Sequence, residues 1–158
     1  MGLPRILILM PEKETLERAA EDKREGKSAS TQAGEFVREE MDHIREGKHG
    51  AKNTKQAIAI GLNKARRAGV ALKPPKKGRT SAKTRKSAES AYRKGRTKKK
   101  ATSSRRSKAV RGALKKMPKS AASRSALSKH AKSAARKRSS SSRSAAARKA
   151  AATRRKAA

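Results

Sequence analysis

Asn53-Thr54-Lys55-Gln56-Ala57-Ile58-Ala59-Ile60-Gly61-Leu62-Asn63-Lys64-Ala65-Arg66-Arg67-Ala68-Gly69-Val70 reads as one helix with its start and its stop both written in. Asn53, with Gln56 three residues on, resembles a capping box. Ala57, Ile58, Gly61, Leu62 and Ala65 recur at helical spacing and form the face to be buried, with Ile60 flanking it. Arg66 and Arg67 fall in the last turn, where the helix dipole favours cations. Gly69 is the stop, and Val70 folds back on the last turn as in a Schellman ending. Pro74-Pro75 then breaks the chain. The spacing predicts a helix over Thr54 to Ala68.

Upstream, Thr31 to Glu46 is the second helix of the argument. Ala33, Val37, Met41 and Ile44 recur at helical spacing with Phe36 beside them, and Gly47 follows as the stop. Ser30 or Thr31, at the end of the linker Lys27 to Thr31, supplies its N-cap. Lys48 to Lys52 is a loop. Pro11 to Glu25 reads as a short, highly charged helix whose thin apolar stripe is Leu16, Ala19 and Ala20, ended by Gly26. Before it lies MGLPRILILM, whose apolar run Ile6 to Met10 is too short for a membrane span or a signal peptide. Met10-Pro11-Glu12-Lys13 is read as the native start; the alternative is a frayed apolar N-terminus without a role.

Downstream of Pro74 the composition changes. Met1 to Lys73 carry 15 Lys/Arg and 11 Asp/Glu; Pro74 to Ala158 carry 31 Lys/Arg and one acid, Glu89. The second segment thus holds +30 of the chain's net charge of +34. Its large apolar residues are Tyr92, Val110, Leu114, Met117 and Leu127, too few to offset the entropy of ordering it. Val110, Leu114 and Met117 fall on one helical face before Pro118, and the Ala-rich runs after Ser120 have high helix propensity, so transient helices are expected there. Weak repeats (Ser123 to Ala126 against Ser142 to Ala145; Lys77 to Thr80 against Lys94 to Thr97) arise easily in so small an alphabet.

The expected architecture is therefore all-α: residues 1–10 non-native or frayed, a small helical module at 11–73 made of a helical hairpin plus one short helix, and a long, largely disordered basic tail at 74–158. A polycation of that density calls for a polyanion, and nucleic acid is the obvious one. Its contacts would be with phosphate and indifferent to sequence. The tail cations chosen as DNA-binding are Arg105, Arg106, Lys115, Lys116, Arg136, Lys137, Arg138, Arg154, Arg155 and Lys156. Lys55, Lys64, Arg66 and Arg67 are the secondary contact, on what would be the recognition helix of a helix-turn-helix. The loop before that helix is longer than such a turn, and a solvated face on a structural hairpin is the plainer reading. With one Phe, one Tyr and no Trp, stacking platforms for single-stranded bases are nearly lacking. RNA chaperoning, or a protein adaptor with a charged tether, are the two rivals. The module would bind a protein partner, self-associate through Phe36, Val37, Met41 and Ile44, or add a weak DNA contact. No membrane partner is expected, because no face carries the large apolar residues that insert in lipid.

Catalytic chemistry finds little support in the residues. No cysteine is present, so thiolate chemistry and sulfur-based zinc sites are excluded. Gly26-Lys27-Ser28 resembles the end of a phosphate-binding loop, but Glu21 stands where that pattern needs Gly. His43, His49 and His130 lack cysteine partners and read as surface histidines, and Glu39-Glu40 read as lying on the polar side of their helix. No enzyme, cofactor or metal is expected. The run Ser139 to Ser142, between Arg138 and Arg143, is a plain polar spacer or a phosphate acceptor that would weaken binding.

Gly34 to Gly47, followed by Thr54 to Val70, is similar to an uncharacterised family of small basic bacterial proteins. The hallmark of that family is a Lys-Gln-Ala-Ile-Ala-Ile-(Gly/Ala)-Leu-x-x-Ala segment after a Met-x-x-(Phe/Ile)-x-x-Gly helix, matched here from Lys55 and from Met41. The resemblance covers roughly a quarter of the chain and carries over no catalytic residue. The tail resembles, in composition, linker-histone and bacterial histone-like tails. Together these imply a nucleoid-associated role in the bacterial cytoplasm.

Overall fold

The computed structural model describes residues 11–97 and 103–157, with the side chains of 156 and 157 excepted. The expectations that fall on residues 1–10 lie outside it. Among the described residues there are seven α-helices, one short 3-10 turn and no strand. The helices are α1 (Lys13–Arg24), α2 (Ala29–Arg45), α3 (Thr54–Arg67), α4 (Ala82–Lys94), α5 (Ser104–Lys115), α6 (Arg124–Arg136) and α7 (Ser140–Ala157); the 3-10 turn is Lys119–Ala122. The chain divides into two compact units, with the boundary between Ser123 and Arg124.

Local chemistry explains the ends of α2 and α3. Ser28, two residues before the expected cap, accepts the Thr31 N–H at 3.3 Å and opens α2. Asn53 caps α3 by accepting the Gln56 N–H at 2.9 Å, while the Gln56 side chain turns to the Lys52 N–H at 2.7 Å. At the far end Gly69 adopts φ +98°, and the Val70 N–H reaches the Ala65 carbonyl at 3.1 Å. This is the Schellman closure expected there. Gly47, at φ +78°, ends α2 the same way, the Lys48 N–H binding the His43 carbonyl at 3.0 Å.

The core of the first unit is Ala19, Ala33, Phe36 and Ala65, with Leu62, Val70 and Leu72 packed on it. Phe36 is fully buried, a gain of about 1.5–3 kcal/mol for a side chain of that size. Close approach of α2 and α3 depends on Gly61, where a Cβ would stand 2.7 Å from Val37 Cα and 2.9 Å from the Phe36 carbonyl oxygen. The first helix is firmly seated: Arg18 Nε donates to Glu35 Oε2 at 2.6 Å, and the Glu12 N–H donates to Glu39 Oε2 at 3.2 Å. The face of Phe36, Met41 and Ile44, offered above for self-association, is covered within the chain itself, with Val37 half-buried.

The expected disorder of the basic half is corrected. Most of its described residues are helical, and those up to Ser123 belong to the first unit. Helix α4 packs on α3, burying Ala88 and Ala91, and the Lys119–Ala122 turn packs on α2 and α3, burying Ala121 and Ala122. The physical reason is alanine. Counting only large apolar side chains misses residues that lose no rotamer entropy on burial and let backbones meet. Gly50 shows how close the meeting is, since a Cβ there would land on the Met117 carbonyl. A clasp of long-range hydrogen bonds follows: Gly50 N–H to Leu114 O at 2.9 Å, Ala51 N–H to Pro118 O at 3.0 Å, Thr54 Oγ1 to Ala121 O at 2.7 Å, and Arg45 Nε to Ala122 O at 3.2 Å.

The second unit differs. No residue of α6 is buried, nor is any described side chain of α7. At the head of α7 the Ser139 hydroxyl accepts the Ser142 N–H at 3.2 Å, so the serine run serves as a helix start.

Candidate functional site

Two places concentrate charge: the exposed cations of the C-terminal half and a buried cluster between α2, α3 and the loop that joins them. At the first, Arg105, Arg106, Lys115, Lys116, Arg136, Lys137, Arg138, Arg154 and Arg155 are all exposed. Lys156 lies in α7, its side chain outside those described. Arg124 to Ala158 hold 12 Lys/Arg and no acid. In the first unit, Glu89 pairs with Arg85 one turn away, leaving the rest of the acid-poor segment uncompensated. Tyr92 carries the Arg96 guanidinium 3.7 Å over its ring, and Phe36 is in the core, so Phe36 cannot stack on a base and one face of Tyr92 is already taken.

The secondary contact on α3 is corrected in part. Lys55 and Arg67 are exposed, but Lys64 and Arg66 are buried at 5% and 6% exposure. Arg66 turns inward along its own helix end, its Nε donating to the Leu72 carbonyl at 3.2 Å and its Nη1 to Asn63 Oδ1 at 3.1 Å. Burial pushes its pKa below the usual guanidinium value. Lys64 shares the face of Ala57, Gly61 and Ala65 and reaches across to α2, its Nζ 2.8 Å from Glu40 Oε2 and 3.2 Å from Glu39 Oε1.

That contact opens the second place. Glu39 and Glu40 are both buried, against the expectation of a polar helix face, and His43 and His49 are buried rather than on the surface. His130, in α6, is half-buried. A helix brings residues three and four apart onto one side, so Glu39, Glu40 and His43 converge. Gly47 then turns the chain and returns His49 to the same spot, its ring edge-on to His43 with centroids 6.2 Å apart. Glu39 is fully engaged, by Lys64 on one oxygen and the Glu12 N–H on the other. Glu40 is not. Its Oε1 lies 3.2 Å from His49 Nε2 and its Oε2 beside Lys64, yet neither oxygen meets a donor in hydrogen-bond geometry. His43 Nδ1 also lacks a hydrogen-bond partner, its nearest charged neighbour being Glu39 Oε1 at 3.9 Å.

On the outer side of the cluster, Glu12 receives His43 Nε2 at 2.8 Å and Lys48 Nζ at 3.1 Å. Those two hydrogen bonds, His43 first and Lys48 second, hold its carboxyl below the ordinary carboxylate value. Lys48 is raised in turn by its hydrogen bond to Glu46, with burial opposing and Glu12 assisting. A surface groove lined by Glu12, Glu14, Glu39, Asp42, His43 and Glu46, among others, runs over this side. Its five acids stand beside three cations, Arg18, Arg38 and Lys48, so it is less basic than a chain of net charge +34 would suggest.

Compared with known proteins, the chain matches no family model, no curated protein and no solved structure. Among the described residues no helix is long and apolar enough to cross a membrane.

The signal for the buried cluster was present in the sequence. Glu40-x-x-His43 is a pair at i, i+3 on one helix, a spacing that lets two ligand-type side chains point the same way. Reading the acids as a polar face assumed that α2 packs on one side only. It is buried against α1, α3 and the 3-10 turn together.

Proposed function

We propose that the protein binds duplex DNA without sequence preference, as a histone-like, nucleoid-associated protein, through phosphate contacts from its C-terminal cations. The observation that carries the reading is the charge asymmetry: 31 Lys/Arg against one acid after Lys73, with the described cations of α6 and α7 exposed. Helices of 13 and 18 residues span about 20 and 27 Å at 1.5 Å per residue, and duplex DNA presents about one phosphate charge per 1.7 Å of axis. Helices that bury nothing of their own derive little stability from packing, so a polyanion that relieves like-charge repulsion would stabilise them. Engagement of Phe36 and Tyr92 within the chain favours a duplex over single strands, which are held by stacking.

The deciding experiment is fluorescence anisotropy of the full chain on two duplexes of unrelated sequence and on an RNA hairpin, between 50 and 200 mM salt. Equal affinity for the two duplexes, weaker RNA competition and a steep negative slope of log K against log salt are expected. Binding that depends on sequence, survives salt or prefers the hairpin would refute the reading.

A further inference from the structure

We propose that Glu40, His43 and His49 form a binding site for a divalent transition-metal ion of the zinc class. The three residues are buried, and one ligand atom from each lies within 4.8 Å of the others. The tautomers make the case. A backbone carbonyl only accepts, so the contact of His49 Nδ1 with the Gly50 oxygen at 3.1 Å places a proton on Nδ1, and in the neutral ring that leaves a lone pair on Nε2 for an ion. Nε2 lies 3.2 Å from Glu40 Oε1, an acceptor, with no hydrogen bond between them. In the same way His43 Nε2 donates to the Glu12 carboxylate, which leaves the Nδ1 lone pair inward and unpartnered. Two imidazoles and a carboxylate whose oxygens make no hydrogen bond thus stand together in the interior, and a metal ion would complete them, with the Lys64 ammonium on the far carboxylate oxygen at 2.8 Å.

Three further features agree. Each imidazole has its other ring nitrogen held by an oxygen, the outer-shell arrangement that orients metal-ligating histidines. Glu39 and Glu40 bring two buried negative charges against one ammonium, that of Lys64, so the interior is short of positive charge. Zinc–ligand bonds of about 2.0–2.1 Å place tetrahedral ligand atoms about 3.3 Å apart, close to the 3.2 Å between His49 Nε2 and Glu40 Oε1. Two imidazoles and a carboxylate suit zinc over magnesium or calcium, which prefer oxygen alone. The groove touches the cluster at His43, the one proposed ligand that lines it. Because His49 adjoins Gly50 and Ala51, the ion would tie down the loop that grips the Leu114 to Pro118 carbonyls.

The test is titration of the full-length, metal-stripped protein with Zn(II), followed calorimetrically, and with Co(II), followed by visible absorption. One ion per chain and the intense bands of tetrahedral Co(II) are expected. His43→Asn and His49→Asn should each weaken binding at least tenfold, and His130→Asn should leave it unchanged. Should the buried variants fail to fold, Glu12→Gln answers the question, because Glu12 is 41% exposed and its carboxylate reaches the cluster only through His43, its other partner being Lys48 at the surface. It should weaken Zn(II) binding about 10–100-fold with the helical content intact. No uptake by the wild-type chain, uptake without tetrahedral Co(II) bands, or uptake indifferent to Glu12→Gln would overturn the site.

Discussion

Lys64 is the cation on which the interior of the first unit turns. It holds Glu39 and Glu40 together, and no other lysine or arginine reaches either carboxylate among the described ion pairs. Replacing one member of a buried charge pair leaves the other uncompensated, at a cost of about 3–5 kcal/mol. Lys64→Ala should therefore lower the stability measured by denaturant unfolding by that amount, while DNA affinity per folded molecule stays as it was. The two arginines that follow separate in the same way. Arg66→Ala removes hydrogen bonds to Leu72 and Asn63 and should cost about 1–3 kcal/mol of stability. Arg67→Ala, at an exposed position, should stay within about 0.5 kcal/mol and weaken DNA binding slightly instead. Thermal melts and anisotropy on the two variants check both halves.

At the scale of helices, the contact of α2 with α3 is set by Gly61. Gly61→Ala forces a Cβ against Val37 Cα. Overpacking should cost about 1–3 kcal/mol, partly offset by roughly 1 kcal/mol of helix propensity. A net loss of stability on chemical denaturation is expected. Helix α3 was legible in the sequence because its cap, its period and its stop are all local, and the same holds for α1 and α2 within a few residues. What docks on them was not legible. Ala88, Ala91, Ala121 and Ala122 carry no periodic signal in a segment where alanine is common, and the clasp depends on backbone carbonyls that any sequence supplies. The buried cluster was hidden for a related reason: Glu and His are mostly exposed, and here Lys64, Glu12 and His49, from three separate parts of the chain, meet them in the interior. Gly50→Ala tests the docking directly. It should release the run of carbonyls from Leu114 to Pro118, seen as faster amide exchange at Ala51 with little change in α1 to α3.

For the whole molecule, the split between the two units is a split between packing and charge. The first unit buries alanines and a polar cluster; the second exposes its described cations and buries nothing among its described side chains. Changing Arg136, Lys137 and Arg138 together to Gln should reduce the slope of log K against log salt by about 3, roughly one unit for each phosphate no longer neutralised, and leave the melting temperature of the first unit unchanged. A change in melting without a change in slope would assign those residues to structure.

The clasp between Thr54 and Ala121 spans 67 residues of chain. Helices α1 to α3 and the return of Leu72 are complete in the nascent polypeptide well before their clasping partners exist. At about 5–20 residues per second, the ribosome needs several seconds more to deliver residues 114–122. The three-helix unit therefore meets the cell first with its 48–53 loop ungripped, and the last part of that unit to be synthesised is the part that closes it. A stall or truncation in that interval would leave a bundle already charged on its surface but still unlatched, and so exposed to proteases at the very loop that carries His49.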